Sequence, residues 1–192
     1  MPETALAGFP DASEYVPYFG RYVSLIQSDD QGDDMRNDMR NDIISVLERQ
    51  IPQTVALLSK LPETAGDFRY APGKWSLKEV VGHLTDTERV MAYRALRICR
   101  GDQTPMEGFE QDDYVRDGPF AHCRLQDLVE EYAQVRRTSV LLFRPLQAHE
   151  WLRRGTASGN GFTVRALAYL MAGHELHHRR VIEENYLKKM PA

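Results

Sequence analysis

Apolar residues recur at steps of three and four along four stretches of the chain, the spacing of a helix with one buried face. The first stretch carries Ile44, Leu47, Ile51, Val55 and Leu58. Pro52 lies inside it and removes one internal hydrogen bond. The stripe keeps its phase across the proline, which predicts one kinked helix rather than two. The second stretch opens at Ser76-Leu77-Lys78-Glu79, an S-x-x-E capping box in which the two polar side chains satisfy orphan backbone donors. Its stripe runs through Val80, Leu84, Met91, Ala95 and Ile98 and stops at Gly101. The third places Leu125, Leu128, Tyr132, Val135, Ser139, Leu142 and Leu146 in alternating steps, nearly a heptad seam. The fourth follows the turn-rich GTASGNG, with Thr163 as N-cap and Leu167, Leu170, Met171, Val181 and Ile182 facing inward. No strand-like alternation extends beyond a few residues.

Four such helices predict an all-α protein, a four-helix bundle that buries four stripes at once. The connection from Gly101 to Cys123 is the longest between neighbouring helices. It has the length to run back along the bundle, which would leave the second and third helices parallel. Residues 1–34 mix Pro, Gly and acids with rings at Tyr15, Tyr18, Phe19 and Tyr22, and read as an irregular arm that packs those rings on the bundle domain, residues 35–192. The tandem MRNDMRND at 35–42 is too short to be a structural repeat.

Composition narrows the functional classes. A chain of 192 residues suits one domain, and 42 % apolar content is enough for a packed interior. The net charge of −4 gives no general attraction to nucleic acid or to anionic lipid. The basic clusters RALRICR, QVRR and WLRR lie scattered in acidic surroundings rather than forming the footprint that nucleic-acid binding requires. Two cysteines, Cys99 and Cys123, are too few for a disulfide scaffold and read as buried or half-buried thiols. The first residues lack a basic and an apolar region of signal-peptide type, and no run of 18 apolar residues occurs. The expectation is a soluble, cytoplasmic protein.

The segment GHELHHRRV, residues 173–181, sets three histidines into five positions. Residues four apart share a helix face, so His174 and His178 point the same way, inside the arc of Leu167, Met171 and Ile182. His177 falls at the edge of that arc and Glu175 on its other flank. The H-x-x-x-H spacing lets two imidazoles grip one ion. His83, in GHLTDTE, lies about 10 Å into the second helix, and an antiparallel fourth helix would bring all three to one level. Three protein ligands leave a coordination position open, as catalytic zinc sites do. The other readings are histidines satisfied within the core and, for His177 with Arg179 and Arg180, a favourable interaction with the helix C-terminal dipole.

Other polar residues carry weaker signals. Asp112 and Asp113, in FEQDDYV, could overhang such a site if the crossover returns past it, or could cap a turn or pair with a surface arginine. Asp86 and Glu88 point away from the His83 face and read as structural or solvated. Arg94 reads as a buried ion-pair partner, and Tyr70 and Trp75 as packing at the start of the second helix.

The runs RYAPGKWSLKEVVGHLTDTERVMAYRALRICRGD, FEQDDYV and WLRRGTASGN…VRALAYLMAGHELHHRRVI closely resemble the DinB-like superfamily of four-helix-bundle metalloproteins, over roughly residues 42–188. The motif positions of that family match His83, His174 and His178. The resemblance implies an up-down-down-up bundle with a long crossover between helices two and three, a divalent metal (Zn²⁺, Ni²⁺ or Fe²⁺) on the three histidines, and a homodimer. It also implies chemistry on a low-molecular-weight thiol of the bacillithiol, mycothiol or glutathione type, transferred to a small electrophile. Hydrolysis by metal-activated water, or a non-catalytic metal-binding scaffold, are the alternatives.

Overall fold

The structure is a computed structural model, described here for residues 8–29 and 43–190. The four predicted stripes become the four long helices: α2 (Ile43–Leu58), α3 (Leu77–Cys99), α5 (Leu125–Phe143) and α7 (Val164–Val181). Preceding them is α1 (Gly20–Asp29); between them lie α4 (Gln111–Asp117), α6 (Ala148–Trp151) and two short strands, β1 (Arg154–Ala157) and β2 (Asn160–Thr163). The tandem at 35–42 and the expected domain boundary at 34/35 lie outside the described residues.

Two of the long helices, α3 and α7, begin where a side chain satisfies the orphan N–H groups. Ser76 and Glu79 form the expected reciprocal capping box on α3, and the Thr163 hydroxyl accepts from the Ala166 N–H at the start of α7. The helix α2 runs unbroken through Pro52, which lies on the exposed side.

Two apolar clusters fix the helix directions. One joins Ile43 and Leu47 with Ala95 and Ile98, Val140 and Phe143, and Leu167 and Leu170: the start of α2 and α7 against the end of α3 and α5. The other joins Leu58 with Leu77 and Val81, Leu125 and Val129, and Ile182, which are the opposite ends of the same helices. Thus α2 and α7 run one way and α3 and α5 the other, giving the up-down-down-up order. Each leucine or isoleucine buried here stabilises the fold by about 1.5–3 kcal/mol.

The parallel α3–α5 pair requires the long crossover. Gly101, at φ +81°, turns the chain out of α3. Met106 then bridges to the hairpin, with its N–H donating to the Thr156 carbonyl at 2.9 Å and its carbonyl accepting from the Ser158 N–H at 2.9 Å. Helix α4 and a 3₁₀ turn at Phe120–His122 carry the chain back to the start of α5. Arg94 helps hold this path. Instead of the expected ion pair, its buried guanidinium donates to the Glu107 carbonyl at 3.0 Å and the Ser158 hydroxyl at 2.9 Å, tying crossover to hairpin.

Residues 8–29 are more regular than an irregular arm. They form 3₁₀ turns at Ala12–Glu14 and Pro17–Phe19 and the ten-residue α1, which buries Tyr22, Val23 and Ile26. These three follow a helical step that the aromatic residues and nearby acids obscure. Glu14 anchors the segment, accepting from the Thr163 hydroxyl at 2.7 Å and from Arg165 Nε at 3.0 Å.

Candidate metal centre

The antiparallel arrangement of α3 and α7 brings the three predicted histidines together. Ring centroids lie 4.9 Å apart for His83 and His174, 5.0 Å for His83 and His178, and 4.6 Å for His174 and His178. One ring nitrogen from each falls within 4.8 Å of the others. Glycine precedes a site histidine on both helices. A side chain at Gly82 would overlap the Phe120 ring of the crossover, and one at Gly173 would overlap the Tyr22 backbone carbonyl of α1. Those glycines let neighbouring segments close over the site from two sides.

His83 is 3 % exposed and is gripped by Trp75, whose ring lies 4.8 Å from its own, while its Nδ1 is 3.4 Å from the Thr87 hydroxyl. That leaves Nε2 directed at His174, with the two Nε2 atoms 3.1 Å apart. Tyr22 sets its ring edge-on to both His174 and His177, at 5.5 Å and 5.6 Å. His177 itself stays outside the triad, as its place at the edge of the helix face predicts.

Burial pushes the His83 imidazole down to about pKa 4. Burial likewise holds His174 and His178 well below the usual histidine value, and the neighbouring imidazoles add to the effect. At neutral pH the three rings are therefore uncharged and have lone pairs to offer. His178 Nδ1 is buried with no hydrogen-bond partner among the described residues, an arrangement that is costly without a ligand of opposite polarity. A divalent ion fits this donor set. Two imidazole nitrogens at about 2.0–2.1 Å from one tetrahedral zinc stand about 3.3 Å apart, close to the His83–His174 separation.

Behind the histidines is a buried polar layer, of which only Glu88 and Glu175 stood out in the sequence. Arg136, 1 % exposed, donates from Nε to Glu88 at 2.8 Å, from a guanidinium NH₂ group to Gln50 at 2.7 Å, and towards the Met171 carbonyl. Glu88, expected to be structural or solvated, is the structural partner of this buried ion pair. Glu175 accepts from the Thr54 hydroxyl and lines, with His174, Glu88 and Arg136, an internal chamber of about 20 Å³. A signal for this layer was present. Gln50, Glu88, Arg136 and Glu175 each follow a stripe residue (Leu47, Leu84, Tyr132, Met171) by three or four positions.

Beside His178 a cleft of about 300 Å³ opens to solvent. His177, His178, Tyr70, Trp75, Tyr186 and Asp112 are among its lining residues. Tyr70 and Trp75 thus do more than pack at the start of α3. The two aspartates of FEQDDYV part company: Asp113 pairs with Arg116 at 2.5 Å, whereas Asp112 reaches the cleft. Cys99 is buried and Cys123 partly buried, and neither lines the cleft. Among the described residues no helix is long and apolar enough to cross a membrane.

No curated protein matches this sequence. Among solved structures, YfiT from Bacillus subtilis, a probable metal-dependent hydrolase with an unusual four-helix bundle topology, is similar with a TM-score of 0.69 at 16 % identity, over 79 % of this chain and 90 % of that one. The mycothiol-dependent maleylpyruvate isomerase is similar with a TM-score of 0.60 at 11 % identity, over 71 % of this chain and 57 % of the isomerase. At such identities the likeness is one of fold. The sequence model of the DinB superfamily matches residues 47–182, which span all four bundle helices and the three histidines, and the chain belongs to that superfamily.

Proposed function

We propose that the protein is a metal-dependent enzyme that conjugates a low-molecular-weight thiol to a small electrophile, with His83, His174 and His178 holding the ion. The observation that carries this reading is the convergence of three uncharged imidazoles, one of which, His178, lines an open cleft. A divalent ion on such a set supplies Lewis acidity, favouring the deprotonated form of a thiol or of water. The chain's own residues do the rest. Trp75 and Thr87 fix the His83 ring, the buried layer around Arg136 sets the spacing of the helices, and the aromatic wall of Tyr70, Trp75 and Tyr186 screens the reacting end from bulk water.

The thiol reading draws support from the lining of the cleft, which holds no Ser or Cys among the described residues. Of the two similar structures, one is a mycothiol-dependent isomerase, which accords with a thiol cosubstrate, and the other, YfiT, is a probable metal-dependent hydrolase. Hydrolysis is the second reading, favoured by the Asp112 carboxylate in the cleft, which could take a proton from water.

Elemental analysis of untagged protein beside the His174→Ala variant tests the metal. Near-stoichiometric metal in the parent, lost in the variant, is expected. Parent protein that binds no divalent ion even after reconstitution overturns the enzyme reading. Loaded protein that hydrolyses esters or amides without thiol, and consumes no thiol with alkyl halides or epoxides, would favour hydrolysis.

A further inference from the structure

The cleft over His178 holds two opposite charges that the protein leaves uncompensated. Lys74 and Asp112 both line it, and neither has an ion-pair partner among the described residues. Their neighbours differ: Arg69 meets Glu79, Lys78 meets Glu63, and Arg116 meets Asp113 and Asp117. The loop that presents Lys74 is locked. Gly73 takes φ +74°, and the Lys74 N–H donates to the Ala71 carbonyl at 3.2 Å. The Lys74 carbonyl accepts from Arg69 at 2.8 Å, and that same guanidinium makes a two-point bond to Glu79, the capping-box residue of α3. One residue on, the Trp75 carbonyl accepts from the Tyr186 hydroxyl at 2.6 Å. Asp112 comes from the other side of the chain, on α4, a helix seated by the buried Val115.

We propose that the cleft selects a small molecule with an amino-acid-type zwitterionic head group, its carboxylate on Lys74 Nζ and its ammonium on the Asp112 carboxylate. A purely anionic head would meet Asp112 unfavourably, and a purely cationic one would meet Lys74; only a zwitterion satisfies both. A volume of about 300 Å³ is at the lower limit of small-molecule sites and holds such a head together with a short reactive arm directed at His178. The assignment rests on the thiol reading for the nature of that arm.

The test uses the full chain loaded with Co²⁺ and follows sulfur-to-cobalt charge-transfer absorption. Three thiols are titrated: 2-mercaptoethanol, glutathione and N-acetylglutathione, which keeps its carboxylates but lacks the ammonium. Glutathione is expected to bind more tightly than 2-mercaptoethanol, and about fivefold more tightly than N-acetylglutathione, the size of one exposed charge pair. Asp112→Asn should abolish the difference between the two peptides. Lys74→Met should weaken both peptides by about fivefold while leaving 2-mercaptoethanol unchanged. Both positions are exposed, so the variants keep the fold. Equal binding of the two peptides by the parent protein, or differences that survive both substitutions, overturns the head-group assignment while the 2-mercaptoethanol band upholds the thiol reading. No band with any thiol on cobalt-loaded protein overturns both.

Discussion

Replacing Arg136 with methionine removes a charge but keeps nearly the same length of side chain, so its cost measures what the guanidinium does in the interior. Four helices meet there: Arg136 belongs to α5, Glu88 to α3, Gln50 to α2, and the Met171 carbonyl to α7. Burial opposes the charge on Arg136, yet Glu88, Tyr132 and Glu175 hold its pKa above the usual arginine value. Without it, the Glu88 carboxylate, 3 % exposed, keeps no ion-pair partner among the described residues, and Glu175 loses a nearby cation. Breaking a buried pair from one side costs about 3–5 kcal/mol. In a protein of this size, each kcal/mol moves the midpoint of thermal unfolding by about 2–4 °C, so a fall of roughly 6–20 °C is expected. The assay is urea denaturation of metal-free protein, followed by helical circular dichroism and by tryptophan fluorescence. The double variant Arg136→Met/Glu88→Leu should recover most of the loss, because an apolar replacement of both partners leaves no orphaned charge. A single variant that costs less than about 1 kcal/mol would refute the reasoning, since surface pairs already reach that value. So would a double variant that costs as much as the single one.

Gly173→Val should force α1 away from α7, because its side chain would overlap the Tyr22 carbonyl; a loss of about 1–3 kcal/mol and faster proteolytic cleavage within residues 8–29 are expected, and unchanged protection there would count against the close approach. Ser76→Ala should lower the urea midpoint by the equivalent of about 1 kcal/mol by opening the capping box of α3, and an unchanged midpoint would show that the box adds nothing. Burial works against the Glu14 carboxylate, but Arg165, Thr163 and the Asp11 N–H hold its pKa below the ordinary value of 4.5. Its stabilisation is therefore complete above pH 4.5 and lost as pH falls through the lower folded value. Glu14→Gln should flatten that part of the profile of stability against pH, and an unaltered acid limb would contradict the assignment.

Much of the architecture was legible because helical periodicity is a local property. Each of the four stripes marks a face that has to be buried, and the S-x-x-E box and Thr163 mark where two of the helices begin. The His174–His178 pair was legible for the same reason, since a spacing of four residues on a helix fixes a shared face whatever surrounds it. The polar layer was written in the same phase, at Gln50, Glu88, Arg136 and Glu175, but a polar residue on a stripe does not declare its partner. The bonds of that layer join residues up to 122 positions apart along the chain (Gln50 to the Ala172 carbonyl), and only the packed helices bring them together.

What the sequence by itself determined, then, is the set of helices, their buried faces and the two histidines one turn apart. The tertiary structure decided how these meet. It brought His83 to the level of His174 and His178, because the crossover and the two apolar clusters set α3 antiparallel to α7. It also separated Asp112 from Asp113 and joined Asp112 to Lys74 in one cleft, because a short helix gives adjacent residues directions about 100° apart, and only the return path of the crossover says which of them faces the site.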